Sequence, residues 1–138
     1  MTKRILKLAA LMSVPAAALL LAGCNTVSIN SNQYIGVPSY PLSNPALVQI
    51  LRKEPTRPHV QLGEVRAEPS SDSVSAQKIE AALQDAAAKL GADAVVIVYD
   101  RTQVTGAMVT GPWYGRSVQT IVGRVIIAVA IKYTGEGS

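Results

Sequence analysis

The chain has 138 residues, with 13 lysines and arginines, 9 aspartates and glutamates, one histidine, one cysteine and no phenylalanine. This length predicts one domain, and a single cysteine excludes an internal disulfide framework or a thiolate metal site. Apolar residues make up 49% of the sequence and charged residues only 16%. That balance excludes a wholly disordered chain and is typical of a globular protein.

Residues 1–23 have the composition of a secretory signal peptide, with a basic start, an apolar stretch over residues 8–21 and small residues at the end. The apolar stretch is shorter than the roughly 20 residues of a membrane-spanning helix, and it contains Pro15. Without the three basic residues of this leader, the formal net charge falls from +4 to +1. The remaining chain is nearly neutral, so we predict no nucleic-acid partner.

The leader ends in a short motif made of Leu21, Ala22, Gly23 and Cys24, which resembles the lipobox of bacterial lipoproteins. The resemblance implies that the Cys24 sulfur receives a diacylglycerol and that cleavage makes Cys24 the acylated first residue. Two or more acyl chains hold a protein stably on a membrane, at about 0.8 kcal/mol per buried CH₂. Asn25 stands where inner-membrane retention signals have aspartate, so we expect a lipid anchor in the outer membrane of a Gram-negative envelope, facing the periplasm.

Composition divides the chain into four segments. We predict a cleaved signal peptide over residues 1–23, a lipidated N-terminus and flexible tether over 24–45, an α+β domain over 46–133 and a tail over 134–138. The tether is rich in Asn, Ser and Pro and has no charged residue. Its larger side chains could instead pack onto the domain: Tyr34, Ile35, Tyr40 and Leu42.

Two apolar runs open the predicted domain. Residues 46–52 and 59–67 predict two strands separated by a break that contains two prolines. In the second run the alternation of apolar and polar residues fails between Leu62 and Val65. A β-bulge near Gly63 restores that alternation.

One helix follows, over residues 75–90, where apolar side chains recur at steps of three and four. Asp72, Ser73 or Ser75 can cap its start, and Gly91 supplies a left-handed residue that ends it. We therefore expect one buried face, made of Ile79, Leu83, Ala86 and Leu90.

The C-terminal half contains two further apolar strands. Residues 94–99 form a continuous run rich in β-branched side chains, and residues 120–133 form a longer one. In the longer run the odd-numbered positions make an apolar face that we expect the helix to cover. The order β, β, α, β, β predicts an α+β fold with a small, largely antiparallel sheet of about four strands and one helix packed on it.

A pattern over residues 59–101 resembles a known family. It consists of residues 62–65 (LGEV), an alanine-rich helix and residues 90–96 (LGADAVV). It resembles the compact α+β domain of small envelope lipoproteins that include the outer-membrane sensor of the Rcs stress pathway. The resemblance implies the fold. The disulfides and basic linker of that sensor have no counterpart here, so its sensing role does not carry over.

Side chains suited to catalysis or metal binding are scarce. His59 is the only imidazole, and no free thiol accompanies it, so we predict no metal site and no cofactor. Asp93 and Asp100 flank a predicted strand, but their spacing indicates neither a catalytic triad nor an acid and base pair. We therefore predict that the protein is not an enzyme.

The segment Thr105–Ser117 combines large apolar and aromatic side chains with three glycines and a proline. This mixture predicts a loop rather than a regular element. Its aromatic residues either contact a partner, cap a core that has no phenylalanine, or insert into a membrane surface. Trp, Tyr and Arg are enriched at interface hot spots, so the candidate contact residues are Met108, Trp113, Tyr114 and Arg116.

These features predict a non-enzymatic, lipid-anchored envelope protein whose periplasmic domain is an interaction or assembly module. Its expected partner, besides the membrane, is another envelope protein or envelope polymer. The alternative is a periplasmic lipoprotein that binds a small apolar or anionic ligand. An exposed Trp113 beside a sheet edge favours the first function, whereas an enclosed apolar pocket of roughly several hundred Å³ favours the second.

Overall fold

The computed structural model describes residues 25–135, so the lipobox and Cys24 lie outside the described residues. Within that range the chain forms five strands, one α-helix and a short 3₁₀ helix, Pro45–Leu47. In chain order the main elements are β1 Val27–Gln33, β2 Gln49–Leu51, β3 His59–Pro69, α1 Ala76–Lys89, β4 Ala94–Thr110 and β5 Ser117–Tyr133.

The strands form one mixed sheet in the order β1-β3-β5-β4-β2. The pairs β1 and β3, β3 and β5, and β5 and β4 are antiparallel, whereas β2 runs parallel to β4. The predicted α+β class with one helix is confirmed. The predicted count of about four strands is too low by one, because β1 adds an edge strand.

The added strand lies in the segment that the composition assigned to a flexible tether. β1 pairs with β3 from Val27 opposite Pro69 to Gln33 opposite Gly63. The tether interpretation is therefore wrong for residues 27–33. The apolar alternation in this strand is limited to Val27 and Ile29, and almost all of its side chains are exposed, so the sequence gives only a short strand signal.

The rest of the predicted tether crosses the domain surface. Tyr40 and Val37 pack against the core cluster, and the Ser43 N–H donates a 2.9 Å hydrogen bond to the Ala88 carbonyl. Ile35 and Leu42 remain exposed. The alternative in which tether side chains pack onto the domain therefore holds for Tyr40 but not for these two residues.

The helix α1 begins and ends close to where the sequence predicts. The Ser75 side chain accepts a hydrogen bond from the Lys78 N–H at its start, and Gly91, at φ +79°, follows its C-cap. The predicted positions Ile79, Leu83 and Ala86 are buried. Leu90 is partly buried against the same cluster.

The face of β5 that meets the helix differs from the prediction. The core cluster that holds the buried face of α1 contains Ile126, Ala128 and Ala130, which are even-numbered. Ile131 and its odd-numbered neighbours pack on the opposite face, in a second cluster with Ala94 and Val96. Both faces of β5 are apolar, so alternation alone cannot select the helix side. Beneath the helix this face of β5 carries the small residues Ala128 and Ala130 beside Ile126, whereas Val129, Ile131 and Tyr133 lie on the other face.

The predicted bulge in β3 is present. The register between β3 and β5 shifts between Gln61 and Gly63. This shift lets both Leu62 and Val65 join the core cluster beneath the helix.

Candidate functional site

The strands β4 and β5 form a hairpin that extends far beyond the rest of the sheet. They pair from Ala94 opposite Ile131 to Thr110 opposite Ser117. β3 pairs with β5 only as far as Ile126, and β2 pairs with β4 only over its first three residues. Past this region, no other described strand pairs with the hairpin. We call residues 103–123 the arm.

The arm replaces the loop predicted over Thr105–Ser117, so that prediction is wrong. Strand β4 continues through Gly106, which lies opposite Ile121 next to a register shift. The remaining turn spans residues 111–116, where Gly111 has a φ of +100°. The glycines thus serve a bulge and a tight turn, and they do not interrupt the pairing.

The flanks of the arm expose apolar side chains and carry no charge. The only charged residue between positions 103 and 123 is Arg116. The register puts one set of side chains on the face that carries the helix, because their positions alternate in phase with Ile126. That set is Val104, Ala107, Val109, Val118, Thr120 and Val122, all of them exposed.

The tip of the arm holds the two aromatic residues that the sequence singled out. Trp113 is 82% exposed and Tyr114 is 77% exposed. Their rings meet edge to face with centroids 5.6 Å apart. Trp113 therefore does not cap the core, and that alternative is wrong.

The four predicted contact residues lie together in the outer part of the arm. Arg116 is at the end of the turn, and Met108 lies on β4 opposite Gln119. Both side chains are exposed. The structure thus brings the four predicted residues together through strand pairing, which the sequence did not indicate.

An ion pair that the sequence analysis missed lies at the base of the arm. The Arg124 guanidinium donates hydrogen bonds of 2.8 and 2.7 Å to the two carboxylate oxygens of Asp100. These hydrogen bonds lower the pKa of Asp100 and raise that of Arg124, although partial burial opposes both shifts. A lone arginine inside an apolar strand is the signal that could have indicated a paired acid.

The N-terminal end of the described chain lies at the same end of the sheet as the arm. Ile29, Ala67, Ile126 and Asp100 form one row across the four strands. β1 and β5 both run antiparallel to β3, so they run in the same direction as each other. The segment from Ile29 back to Asn25 therefore leaves this row in the same direction as the segment of β5 from Ile126 back to the arm.

Hydrogen bonds hold this N-terminal end in place. The Thr26 N–H donates a 3.0 Å hydrogen bond to the Ser70 hydroxyl, and the Ser73 hydroxyl donates a 3.2 Å bond to the Asn25 side chain. Lys78, in the first turn of α1, donates to the Asn25 carbonyl. Only Asn25 and Thr26 separate β1 from Cys24.

A cleft of about 610 Å³ opens at the opposite end of the sheet, away from the arm. It is an open cleft rather than an enclosed pocket. Lys132 and Asp93 on its wall form a 2.9 Å ion pair, and the Arg57 guanidinium lies 4.3 Å from the centre of the Tyr133 ring. Exposed Leu47 lies at its edge.

His59 has ordinary structural partners. Its Nδ1 lies 2.7 Å from the Arg57 carbonyl and its Nε2 lies 3.3 Å from the Glu54 carboxylate. Within residues 25–135, no group of three His, Cys, Asp or Glu residues could hold a metal ion. The same residues contain no helix long and apolar enough to cross a membrane.

Comparisons with known proteins place no further constraint on the site. No family model, no curated protein and no solved structure matches this chain. The resemblance to the Rcs sensor family stays a prediction. Function is therefore inferred from the geometry of the arm and from the lipobox.

Proposed function

We propose that this protein is a non-enzymatic, lipid-anchored protein of the outer membrane whose periplasmic domain is an interaction module, with the arm as its contact surface. The observation that carries this proposal is the long, exposed and nearly uncharged arm with Trp113 and Tyr114 at its tip. Cys24 would supply the anchor.

The first argument concerns the exposed apolar surface. Soluble monomers rarely expose contiguous apolar patches larger than a few hundred Å², and larger patches mark contact sites. On the arm, paired valines follow one another along one face, Val104 opposite Val122 and Val109 opposite Val118. Each is more than half exposed. A partner that covers this face would remove it from water.

The second argument concerns the two strand edges of the arm. Long edges present unpaired backbone N–H and C=O groups, and proteins ordinarily protect such edges with charged residues or prolines. The β4 edge has no charged residue and no proline between positions 103 and 110, and the same is true of the β5 edge between positions 117 and 123. Unprotected edges of this kind favour a contact role.

The third argument concerns the side chains of the tip. Trp, Tyr, Met and Arg are enriched in protein interfaces, and Trp, Tyr and Arg dominate their binding energy. Trp113, Tyr114, Met108 and Arg116 bring all four types to one end of a paired hairpin. That end is free of contact with the core.

The open cleft favours a second candidate function, the binding of a small anionic ligand. Its wall carries the two cations Arg57 and Lys132 against the single acid Asp93. The cleft is not enclosed, so it provides less burial than ligand pockets usually do. The arm therefore supports the leading proposal better.

The experiment combines Trp113→Ala with Tyr114→Ala and measures both thermal stability and crosslinking in intact cells. We expect the melting temperature to stay nearly unchanged, because truncating an exposed pair removes little burial, whereas truncating a buried Trp costs roughly 3 kcal/mol or more. We expect crosslinks from the arm to the envelope component that it contacts, whether protein, polymer or lipid, to disappear.

Leu42→Ala combined with Leu47→Ala is the matched control, because it truncates two exposed apolar side chains at the cleft end. This control should keep the crosslinks. Crosslinks that survive loss of the aromatic pair but not loss of the leucines would contradict the arm proposal and assign the contact to the cleft.

A further inference from the structure

We propose that the partner of the arm is the lipid bilayer itself, and that Trp113 and Tyr114 insert into the headgroup region of the membrane that holds Cys24. This inference rests on the proposed lipid anchor and on the arm as contact surface. It adds the chemistry of the partner, which is a phospholipid surface.

The first step is the position of the tip relative to the anchor. Asn25 lies four positions before Ile29, and Ser117 lies nine positions before Ile126 on the unbulged strand β5, while Ile29 and Ile126 share one row of the sheet. At about 3.3 Å per strand residue, the last strand pair of the arm lies roughly 17 Å further than Asn25 in the same direction, and the turn with Trp113 lies beyond that pair.

The second step places the membrane surface. Cys24 directly precedes Asn25 in the sequence, and Asn25 is held to the domain through Ser73 and Lys78. Acyl chains on Cys24 would therefore hold the bilayer close to the base of the arm. An arm that extends past this level meets the lipid.

The third step is the chemistry of the tip. Trp and Tyr are enriched where hydrocarbon meets water, because their rings are apolar and their N–H and O–H groups still reach water. The flanking side chains Met108, Val109 and Val118 are apolar and exposed. Arg116 supplies a cation that suits lipid phosphates.

The fourth step sets the depth of insertion. Backbone groups on an open sheet edge are not tolerated in the hydrocarbon core, and neither edge of the arm is paired with another described strand. A single arm therefore lies obliquely, with its tip among the headgroups and its valine face turned toward the lipid.

Trp113 is the only tryptophan in the sequence, so its fluorescence reports directly on the environment of the arm tip. The mature protein, purified from membranes in detergent, is reconstituted into vesicles of phosphatidylethanolamine and phosphatidylglycerol. We expect Trp113 emission to shift to shorter wavelength relative to the variant Cys24→Ser in buffer, and to become protected from iodide. Lipids brominated near the ester carbonyl should quench it more than lipids brominated at the chain ends.

Two variants test the contact directly. Val109→Asp puts a charge on the valine face of the arm, and we expect it to lose most of the quenching by brominated lipid. Leu47→Asp puts the same charge on an exposed leucine at the opposite end of the sheet and should keep the quenching. Equal quenching in both variants would overturn the proposal.

Pairing with a second copy of the chain is the competing explanation for an apolar arm. Reconstitution at about one protein per vesicle separates the two explanations. Bilayer contact gives the same emission at any protein density. Emission that returns to the water-exposed wavelength on dilution, without quenching by brominated lipid, would overturn the proposal in favour of self-association.

The outcome also separates this inference from the proposed function. One outcome is that Trp113 is accessible to iodide in pure lipid vesicles, while the wild-type protein still forms crosslinks to another protein through the arm in intact cells. In that case the lipid partner is wrong and the interaction module stands. If Trp113 is exposed and the crosslinks are absent as well, both proposals fail.

Discussion

At the scale of single residues, the ion pair between Asp100 and Arg124 joins the core to the arm. The hydrogen bonds from Arg124 lower the pKa of Asp100 below its ordinary value of 3.8. A lowered pKa in the folded state means that ionisation favours folding. The pair therefore stabilises the fold fully above about pH 4, and this contribution disappears as the pH falls through the lower folded pKa.

Asp100→Asn tests this linkage. Both side chains are partly exposed, 24% for Asp100 and 37% for Arg124, so solvent screening limits the expected loss to about 1 kcal/mol at neutral pH. Urea unfolding of the wild type and the variant should differ at neutral pH, and this difference should shrink as the pH falls below the ordinary carboxyl pKa of 3.8. Asp85→Asn, on an exposed helix position, should have little effect. A difference between Asp100→Asn and wild type that persists unchanged in acid would contradict the assignment.

Two glycines show how far single residues can be interpreted from sequence. The role of Gly91 as a helix terminator follows from its position after an amphipathic run. Gly91 also leaves room for Tyr40, since a Cβ on Gly91 would lie 2.6 Å from the Tyr40 Cβ. This second role does not follow from the sequence, because Tyr40 lies in a segment whose composition resembles a tether. Likewise, a Cβ on Gly63 would lie 2.3 Å from the Asn32 carbonyl oxygen. That constraint comes from β1, whose apolar alternation is limited to Val27 and Ile29.

At the scale of elements, α1 is the best-determined part of the sequence, and its phase is testable. Leu83→Asp would bury a charge at a fully buried position, which costs several kcal/mol, about as much as the total stability of a small domain. We expect the circular dichroism spectrum of this variant to be that of an unfolded chain.

Ala81→Asp is the matched control on the same helix, because Ala81 is exposed and the change costs at most about 0.7 kcal/mol of helix propensity. Gln84 is less suitable, because its side chain donates a 2.8 Å hydrogen bond to the Val48 carbonyl. Equal destabilisation by the two aspartates would show that the helix phase is wrong.

The strands were harder to predict than the helix for a physical reason. A strand can be recognised in a sequence when one of its faces is buried and apolar and the other is solvent-exposed and polar. β1 is mostly exposed and has only Val27 and Ile29 as alternating apolar residues, β5 is apolar on both faces, and the arm has neither a buried face nor a neighbouring strand. Alternation therefore carries little signal in these three cases, whereas α1 has one buried and one exposed face.

At the scale of the whole molecule, the two ends of the sheet have different chemistry. The arm and Asn25 lie at one end, and the open cleft with Arg57 and Lys132 lies at the other. A lipid on Cys24 would therefore hold the arm next to the membrane and turn the cleft toward the periplasm. The sequence indicates the residues of the proposed contact surface and of the proposed anchor, but their common direction depends on the pairing of β1 with β3, which the sequence does not reveal.

The anchor is the last and most direct prediction. Cys24→Ser removes the sulfur that the lipobox resemblance assigns to acylation, so metabolic labelling with an alkyne fatty acid should give no signal on this variant. The unacylated protein should be found either in soluble form or as the uncleaved precursor, because an interfacial contact without acyl chains holds a protein only reversibly. The double variant Cys24→Ser with Ser31→Cys keeps one thiol in the chain, on an exposed position of β1, and should remain unlabelled as well. Label on either variant would contradict the lipobox assignment, since it would show that acylation does not depend on a cysteine at the end of the leader.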